Sequence, residues 1–562
     1  MKPFRKIFSL LLFAMILTIM VACQAKEGAS KEEGKSNNSS GDDKSSIELT
    51  VFDSDANADW EKMESPVGVK IKEATGVTLK PEFDINGGQQ KIALMAASGE
   101  YPDMIIPKGE AGTLVDAEAL IDLAPLIEEH APNLKKIYGE DLNRLKWSKE
   151  DPSIYILSTS PADATYYTPG MGVSIQHDVV KELGYPEMHT LEDYESAVKQ
   201  YIKKYPEIDG QKTIGLSLLA DDWRIQPSTL NSAFWATGGS DDGEYYIDPD
   251  THEAILHYRR PVEKDYFRWL NHMNAEGLLD KESFVQKYDQ YLAKLSSGRV
   301  LSIMDPDWSV SQAQNALRES GMHERMYGTY PVTLSEEYKH TNFQSPGYQV
   351  GWGIGITVDC EDPVRAIKFL DYLASEEAQI MTNWGIEGEH YEIVDGKRVI
   401  PADVMEQRDN DKDFAKETGI GYNFQRFAPR YGDGATDSTG QTYTIASPEQ
   451  IKESYTDVEK EVLDGYGVEL FKDLYPQEDE FPVKPWGAAY NIQIPAGSDL
   501  ELINQKVLDL AKKRVPEAIL AKPADFDKVW DAFMDDLTKA GVEQGEKEFT
   551  QLVQDTVELW SE

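Results

Sequence analysis

Cysteine is scarce: the 562-residue chain has two, Cys23 and Cys360. Two thiols cannot build a disulfide framework or a cysteine-based zinc finger. Positive charge is short as well, with 56 Lys and Arg against 99 Asp and Glu and a formal net charge of −43. That balance excludes a sequence-independent nucleic-acid binder, which needs a cationic footprint to displace counterions. It also excludes broad electrostatic docking on anionic lipid. No fixed-period repeat is present. Enzyme signatures are absent or spoiled. There is no Gly-x-Ser-x-Gly elbow, and His252-Glu253 and His323-Glu324 lack the second histidine of a zinc-protease helix. Gly34-Lys35-Ser36 resembles the end of a phosphate loop, but Gly28 is one residue too far away. A glycosidase needs only two carboxylates, and so large an acidic set leaves that class open. Against these absences stand 40% hydrophobic residues with 11 Trp, 28 Tyr and 18 Phe. That content is far too apolar for a solvated polyelectrolyte and describes a large, acidic, globular protein.

The N-terminus carries an address. Lys2, Arg5 and Lys6 precede an apolar run over residues 7–22. The run is shorter than the roughly 20 residues a membrane span needs and reads as a signal-peptide core. It ends Met20-Val21-Ala22-Cys23, a small residue before cysteine, as in the bacterial lipoprotein processing box. Residues 1–22 are therefore read as a lipoprotein signal peptide and Cys23 as the lipidated mature N-terminus, held at the outer face of the cell membrane. Residues 23–46 (from Gln24, QAKEGASKEEGKSNNSSGDDKSS) hold scarcely an apolar side chain and read as a flexible tether.

From residue 47 strand-like and helix-like patterns alternate, which predicts an α/β architecture with mostly parallel sheets. Ile47-Glu48-Leu49-Thr50-Val51-Phe52 alternates towards a strand. Residues 89–98 form a compact helix stopped by Gly99, and Pro102-Asp103-Met104-Ile105-Ile106 is a short buried strand. Asp362-Pro363 has the N-cap and first-turn signature of a helix. Residues 525–559 read as one amphipathic helix.

Several blocks resemble bacterial family-1 extracellular solute-binding proteins. They are Lys91-Ile92-Ala93-Leu94-Met95-Ala96-Ala97-Ser98-Gly99-Glu100-Tyr101-Pro102-Asp103, Ala119-Leu120-Ile121-Asp122-Leu123-Ala124-Pro125, and Glu276-Gly277-Leu278-Leu279-Asp280. Asp371-Tyr372-Leu373-Ala374-Ser375-Glu376-Glu377 and Trp384-Gly385-Ile386-Glu387-Gly388-Glu389-His390-Tyr391 resemble the family's large lipoprotein branch. The resemblance implies a two-lobed, periplasmic-binding-protein-like (type II) fold with a hinge, closing on a sugar and delivering it to an ABC importer. It implies a first lobe of residues 47–165 plus about 352–425, and a second of about 166–351 plus 426–562. It further implies no catalysis, no cofactor, a monomer, and ABC transporter membrane subunits as partners.

A sugar offers an apolar face and a hydroxyl rim, so a binding cleft needs exposed aromatics and planar polar groups. In open α/β sheets these come from loops after strand C-termini. Trp60, Trp308 and Trp352 are the preferred stacking residues by loop position, with Trp223, Trp235, Trp486 and Tyr167, of the Tyr166-Tyr167 pair, as further candidates. Asp59, Asp307, Arg224 and Lys108 are candidates for hydroxyl contacts. Each has a plainer alternative, core packing for the aromatics and a solvated charge for the rest. Asp53, Asp55, Asn57, Asp59 and Glu64 nearly match calcium-loop spacing, but Ala58 replaces the required glycine and a strand precedes the loop. No metal is assigned there, nor to residues 205–213, where some relatives carry an acidic calcium loop. The expected ligand is an oligosaccharide, such as a plant cell-wall xylo-oligosaccharide, and neutral, since the candidate loops supply few cations. A surface-anchored glycoside hydrolase or lyase is the alternative, and an adhesion or scaffold protein the third.

Overall fold

The computed structural model describes residues 44–57, 60, 62–84, 89–240, 243–411 and 413–561. The signal-like run, Cys23, the tether as far as residue 43, and Asp59 lie outside the described residues.

Two sheets organise these residues. The first begins with β1 (Ile47–Asp53), β2 (Val77–Phe83), β3 (Met104–Ile106) and β4 (Leu157–Ser158). The chain then crosses to a second sheet of β5 (Val173–Gln176), β6 (Ile214–Leu216), β7 (Val300–Ile303) and β8 (Tyr327–Tyr330). It returns as β9 (Gly353–Ile356), which inserts between β3 and β4 to give the order β2-β1-β3-β9-β4. β1 runs parallel to both neighbours, with Ile47 opposite Val77 and Val51 opposite Met104. β9 is antiparallel to β3 and β4, because it enters from the other lobe. The second sheet, β8-β5-β7-β6, is likewise mixed: β6 and β7 are parallel, and β5 is antiparallel to β7 and β8. The expected mostly parallel sheets thus hold only for strands that stay within one lobe.

Local signals set the connections. Helix α1 (Pro66–Thr75) joins β1 to β2; the Ser65 hydroxyl caps it by accepting from Gly68 N, and Gly76 ends it at φ 72°. Helix α2 (Gln89–Ser98) joins β2 to β3, where the sequence places it. One face of the first sheet packs Leu49, Val51, Leu79, Met104 and Ile354. The other packs Phe52, Ile105 and Leu114 with Ile92 of α2, which is why β1 and β3 are apolar on both faces. In the second lobe, helix α3 (Leu191–Lys204) starts at a Thr190–Asp193 capping box. Helix α4 (Asp307–Glu319) follows β7. The single C-terminal helix expected over residues 525–559 is two. Gly541, at φ 97°, breaks it, so that α5 (Asp499–Leu520), α6 (Phe526–Ala540) and α7 (Val542–Ser561) fold back on one another. Their Val507, Phe526, Trp530 and Phe533 join the second lobe's core.

The expected boundary near residue 425 does not follow the cores. Phe427, Ala428, Tyr431, Ala435 and Tyr443 pack with the first sheet, and Arg430–Tyr431 pairs with Pro161–Ala162. Cys360 is buried in the same core and its thiol is pushed up to about 12 by burial, so it is inert.

The crossing strands lie very close. A Cβ on Gly353 would stand 1.9 Å from the Leu157 carbonyl oxygen, so only glycine lets β9 seat against β4. Gly353→Ala is expected to destabilise the protein by several kcal/mol or prevent folding, read by chemical denaturation. Gly112→Ala is the control. Nothing lies within 4 Å of its added Cβ, and in its short helix (Ala111–Asp116) the change should be neutral or stabilise by about 0.5–1 kcal/mol.

Candidate functional site

Topology alone decides which sheet edges meet. The chain leaves the first sheet at the C-terminal end of β4 and enters the second at the N-terminal end of β5. Because β5 is antiparallel to β7, that end lies beside the C-terminus of β7, where Asp307 N donates to Gly170 O at 3.3 Å. On the return, β9 starts beside the C-terminus of β3. These two crossings therefore join the C-terminal edges of the β1/β3 and β6/β7 strands, and the space between those edges is the candidate cleft, since α/β sheets bind ligands there. The crossings are bonded to each other: Thr159 N donates to Trp352 O at 3.1 Å, and Ser158 Oγ to Gln349 O at 2.9 Å.

The first lobe's rim is a relay of charges ending on an aromatic. The fully buried Asp53 carboxylate meets Arg426 Nε at 2.5 Å, and Asp55 lies 3.6 Å from the same guanidinium. Asp55 also pairs with Lys108, whose ammonium sits 5.0 Å from the centre of the Trp352 ring. Burial pushes the Asp53 carboxyl up despite the pull of Arg426. Cations thus already answer the acidic spacing that resembles a calcium loop. Among the described residues no group of three or more His, Cys, Asp or Glu is placed to hold a metal.

The second lobe's rim carries Trp223 and Arg224 after β6, and Asp307 and Trp308 at the start of α4. Trp308 is 60% exposed, Trp352 59% and Trp223 44%. Lys108 (φ 53°) and Asp222 (φ 57°) hold left-handed backbone on the two rims. Such conformations cost of order 1 kcal/mol and gather at functional sites. In the segment between β4 and β5, Tyr166 is 53% exposed yet has its phenol pushed up by burial, with Arg430, Asp433 and Glu478 nearby. Asp307 shows the same combination, open to solvent with its carboxyl pushed up to about 6 by burial.

The other aromatic candidates are buried or half-buried. Trp235 is buried against His340, centroids 5.1 Å apart, and Trp486 is buried with its edge towards His252. Trp60 is half-buried among Phe83, Phe424 and Phe427, at 5.5–6.2 Å. Tyr167 is half-buried under Lys472 at the crossing. Sequence reasoning missed Arg426, Arg430 and Tyr288. None carries a local signal, because each reaches the rim from a segment remote in the chain.

Two outcomes are expected. Arg426→Leu strands a buried carboxylate and should cost about 3–5 kcal/mol in chemical denaturation, much of it regained in Asp53→Asn/Arg426→Leu. Asp307 binds its proton more tightly in the folded protein, so its contribution to stability grows as pH falls from 7 through about 6. Asp307→Asn should remove that rise from melting temperatures measured against pH; identical profiles would show an unperturbed carboxyl.

Comparison with known proteins matches the geometry. Lipoprotein LipO of Bacillus subtilis (strain 168) is 25% identical over 362 residues, 61% of this chain and 66% of LipO, so the match spans just under two thirds of that relative. Alginate-binding protein AlgQ2, solved without calcium ion, superposes with a TM-score of 0.61 at 17% identity, covering 91% of this chain and 98% of AlgQ2. The Streptococcus pneumoniae ABC-transporter substrate-binding protein FusA, in complex with kestose, gives 0.63 at 17% identity, over 90% and 99% of the two chains. At such identities these structures speak for the two-lobed fold alone. The sequence profile described as bacterial extracellular solute-binding protein matches residues 68–385, more than half of the chain. The chain belongs to the bacterial extracellular solute-binding protein family.

Proposed function

We propose that the protein is the lipid-anchored receptor of an ABC importer, capturing a neutral oligosaccharide between its lobes and passing it to the transporter's membrane subunits. The observation that carries this reading is the pair of exposed indoles, Trp352 and Trp308, on the rims that the chain crossings bring together. An indole covers the apolar face of a sugar ring while carboxylates and amides take the hydroxyls. Asp307, next to Trp308, is the leading hydroxyl acceptor.

The charge pattern supports a neutral ligand such as a xylo- or fructo-oligosaccharide. Arg426 and Lys108, which would greet a uronate on the first rim, are committed to Asp53 and Asp55. Asp307 brings a carboxyl to the second rim, and beside Tyr166 the Arg430 cation is accompanied by Asp433 and Glu478. Hinge closure follows from linkage, since a ligand touching both rims favours the closed arrangement by its differential affinity. Anchoring at Cys23 rests on the processing-box pattern and agrees with the lipoprotein name of the Bacillus relative. A hydrolase would need a pair of carboxyls flanking the scissile bond, which the product assay below tests. Asp305 is pushed up to about 7 by burial, but it is buried and bonded to the Tyr291 hydroxyl at 2.5 Å.

The test is a thermal-shift and calorimetric panel of xylo-, fructo- and alginate-derived oligosaccharides, with products assayed in parallel. A melting rise with a neutral member and no released sugar is expected; turnover, or no stabilisation across the panel, sinks the reading. Trp308→Ala and Trp352→Ala should each weaken binding by about 1 kcal/mol or more. Wild-type affinity should fall as pH drops through about 6, where Asp307 gains its proton, and Asp307→Asn should bind weakly with a flat profile.

A further inference from the structure

Trp223, Arg224 and Trp308 are one object, not three separate contacts. The Arg224 guanidinium carbon lies 4.2 Å from the centre of the Tyr288 ring and 4.8 Å from that of Trp223. Trp223 in turn stacks against Trp308, with centroids 5.8 Å apart and planes 19° apart. The layers Tyr288, Arg224, Trp223 and Trp308 come from three segments tied together by hydrogen bonds. The Asp221 carboxylate accepts from Tyr288 N at 3.1 Å and from Lys287 Nζ at 2.7 Å. The Tyr288 hydroxyl donates to Ser309 O, next to Trp308, at 2.7 Å.

An exposed indole on a loop ordinarily samples several rotamers, and ordering it when a ligand arrives costs binding free energy. A guanidinium between two rings removes that freedom beforehand. It is planar and weakly hydrated, so it can be stacked on both faces, which an ammonium cannot. We infer that Arg224 is a positioning residue: sandwiched between Tyr288 and Trp223, it holds Trp223, and through it Trp308, as a preformed platform whose outer face receives a sugar ring. The use of the platform for sugar rests on the function proposed above; its presence in the free protein does not.

Circular dichroism of the ligand-free protein separates the two. Stacked indoles couple excitonically, and the difference between wild type and Trp308→Ala defines the couplet. Arg224→Leu should lose most of that couplet and raise Kd for the oligosaccharide about 2- to 10-fold, the cost of ordering one side chain on binding. Arg224→Lys, which keeps charge without a plane, should recover only part of both. Tyr288→Phe, which keeps the ring, should retain most of the couplet. A couplet unchanged in Arg224→Leu overturns the inference. Weakened binding with an unchanged couplet also overturns it, by making Arg224 a direct ligand contact. Should Arg224→Leu fail to fold, Arg224→Lys decides on the same two readouts. If no oligosaccharide binds the wild type, the proposed function fails while the couplet still decides the platform.

Discussion

The structure depends on how the chain passes between its lobes. Of its three passages two run side by side, as β4 leaving and β9 returning, and they can do so only because Gly353 admits the Leu157 carbonyl at a distance no Cβ would tolerate. Entering from the other lobe makes β9 antiparallel within a sheet otherwise built from parallel units, and the close contact seats it there. It also places the start of β9 at the C-terminal edge of β3. Trp352, the residue immediately before Gly353, is thereby delivered to the cleft rim. A packing constraint between backbones thus decides where a candidate ligand contact stands.

Once the edges face each other, electrostatics organises the rim. A carboxylate as buried as Asp53 is tolerable only with a partner, and Arg426 supplies it. The same guanidinium reaches towards Asp55, Asp55 takes Lys108, and Lys108 lies against Trp352. The second rim is built differently, by stacking a cation between rings. In both, positive charge is spent on holding carboxylates or aromatics in place, which leaves the cleft with polar and aromatic surface rather than a basic field. The formal charge of −43 says little about this. It describes the outer surface, and the cleft is set by a few pairings that cancel locally.

Fold class was legible because its signals are local. The alternation in residues 47–52, the Asp362 cap and the helix stop at Gly99 each act within a few residues. The misjudged C-terminal helix shows the limit, since one left-handed glycine, Gly541, outweighs an otherwise continuous amphipathic pattern. The aromatic candidates divide for a similar reason. Trp308, Trp352 and Trp223 follow or precede strand ends and stay exposed. Trp486 occupies an equally polar stretch of sequence, yet tertiary packing buries it, and Trp235 is buried with its apolar neighbours Phe234 and Ala236. Polarity of the neighbouring residues does not report where a ring points.

By itself, then, the sequence determined the alternation of strands and helices, the family and the kind of side chain a cleft would use, because each is written in short-range patterns. Tertiary structure decided the rest: that Arg426 answers Asp53, that Tyr288 and Arg224 hold Trp223 and Trp308, and that residues 426–443 belong with the first sheet. Those partners are hundreds of residues apart or come from separate loops, and only folding brings their charges and ring faces within the few ångströms over which such interactions act.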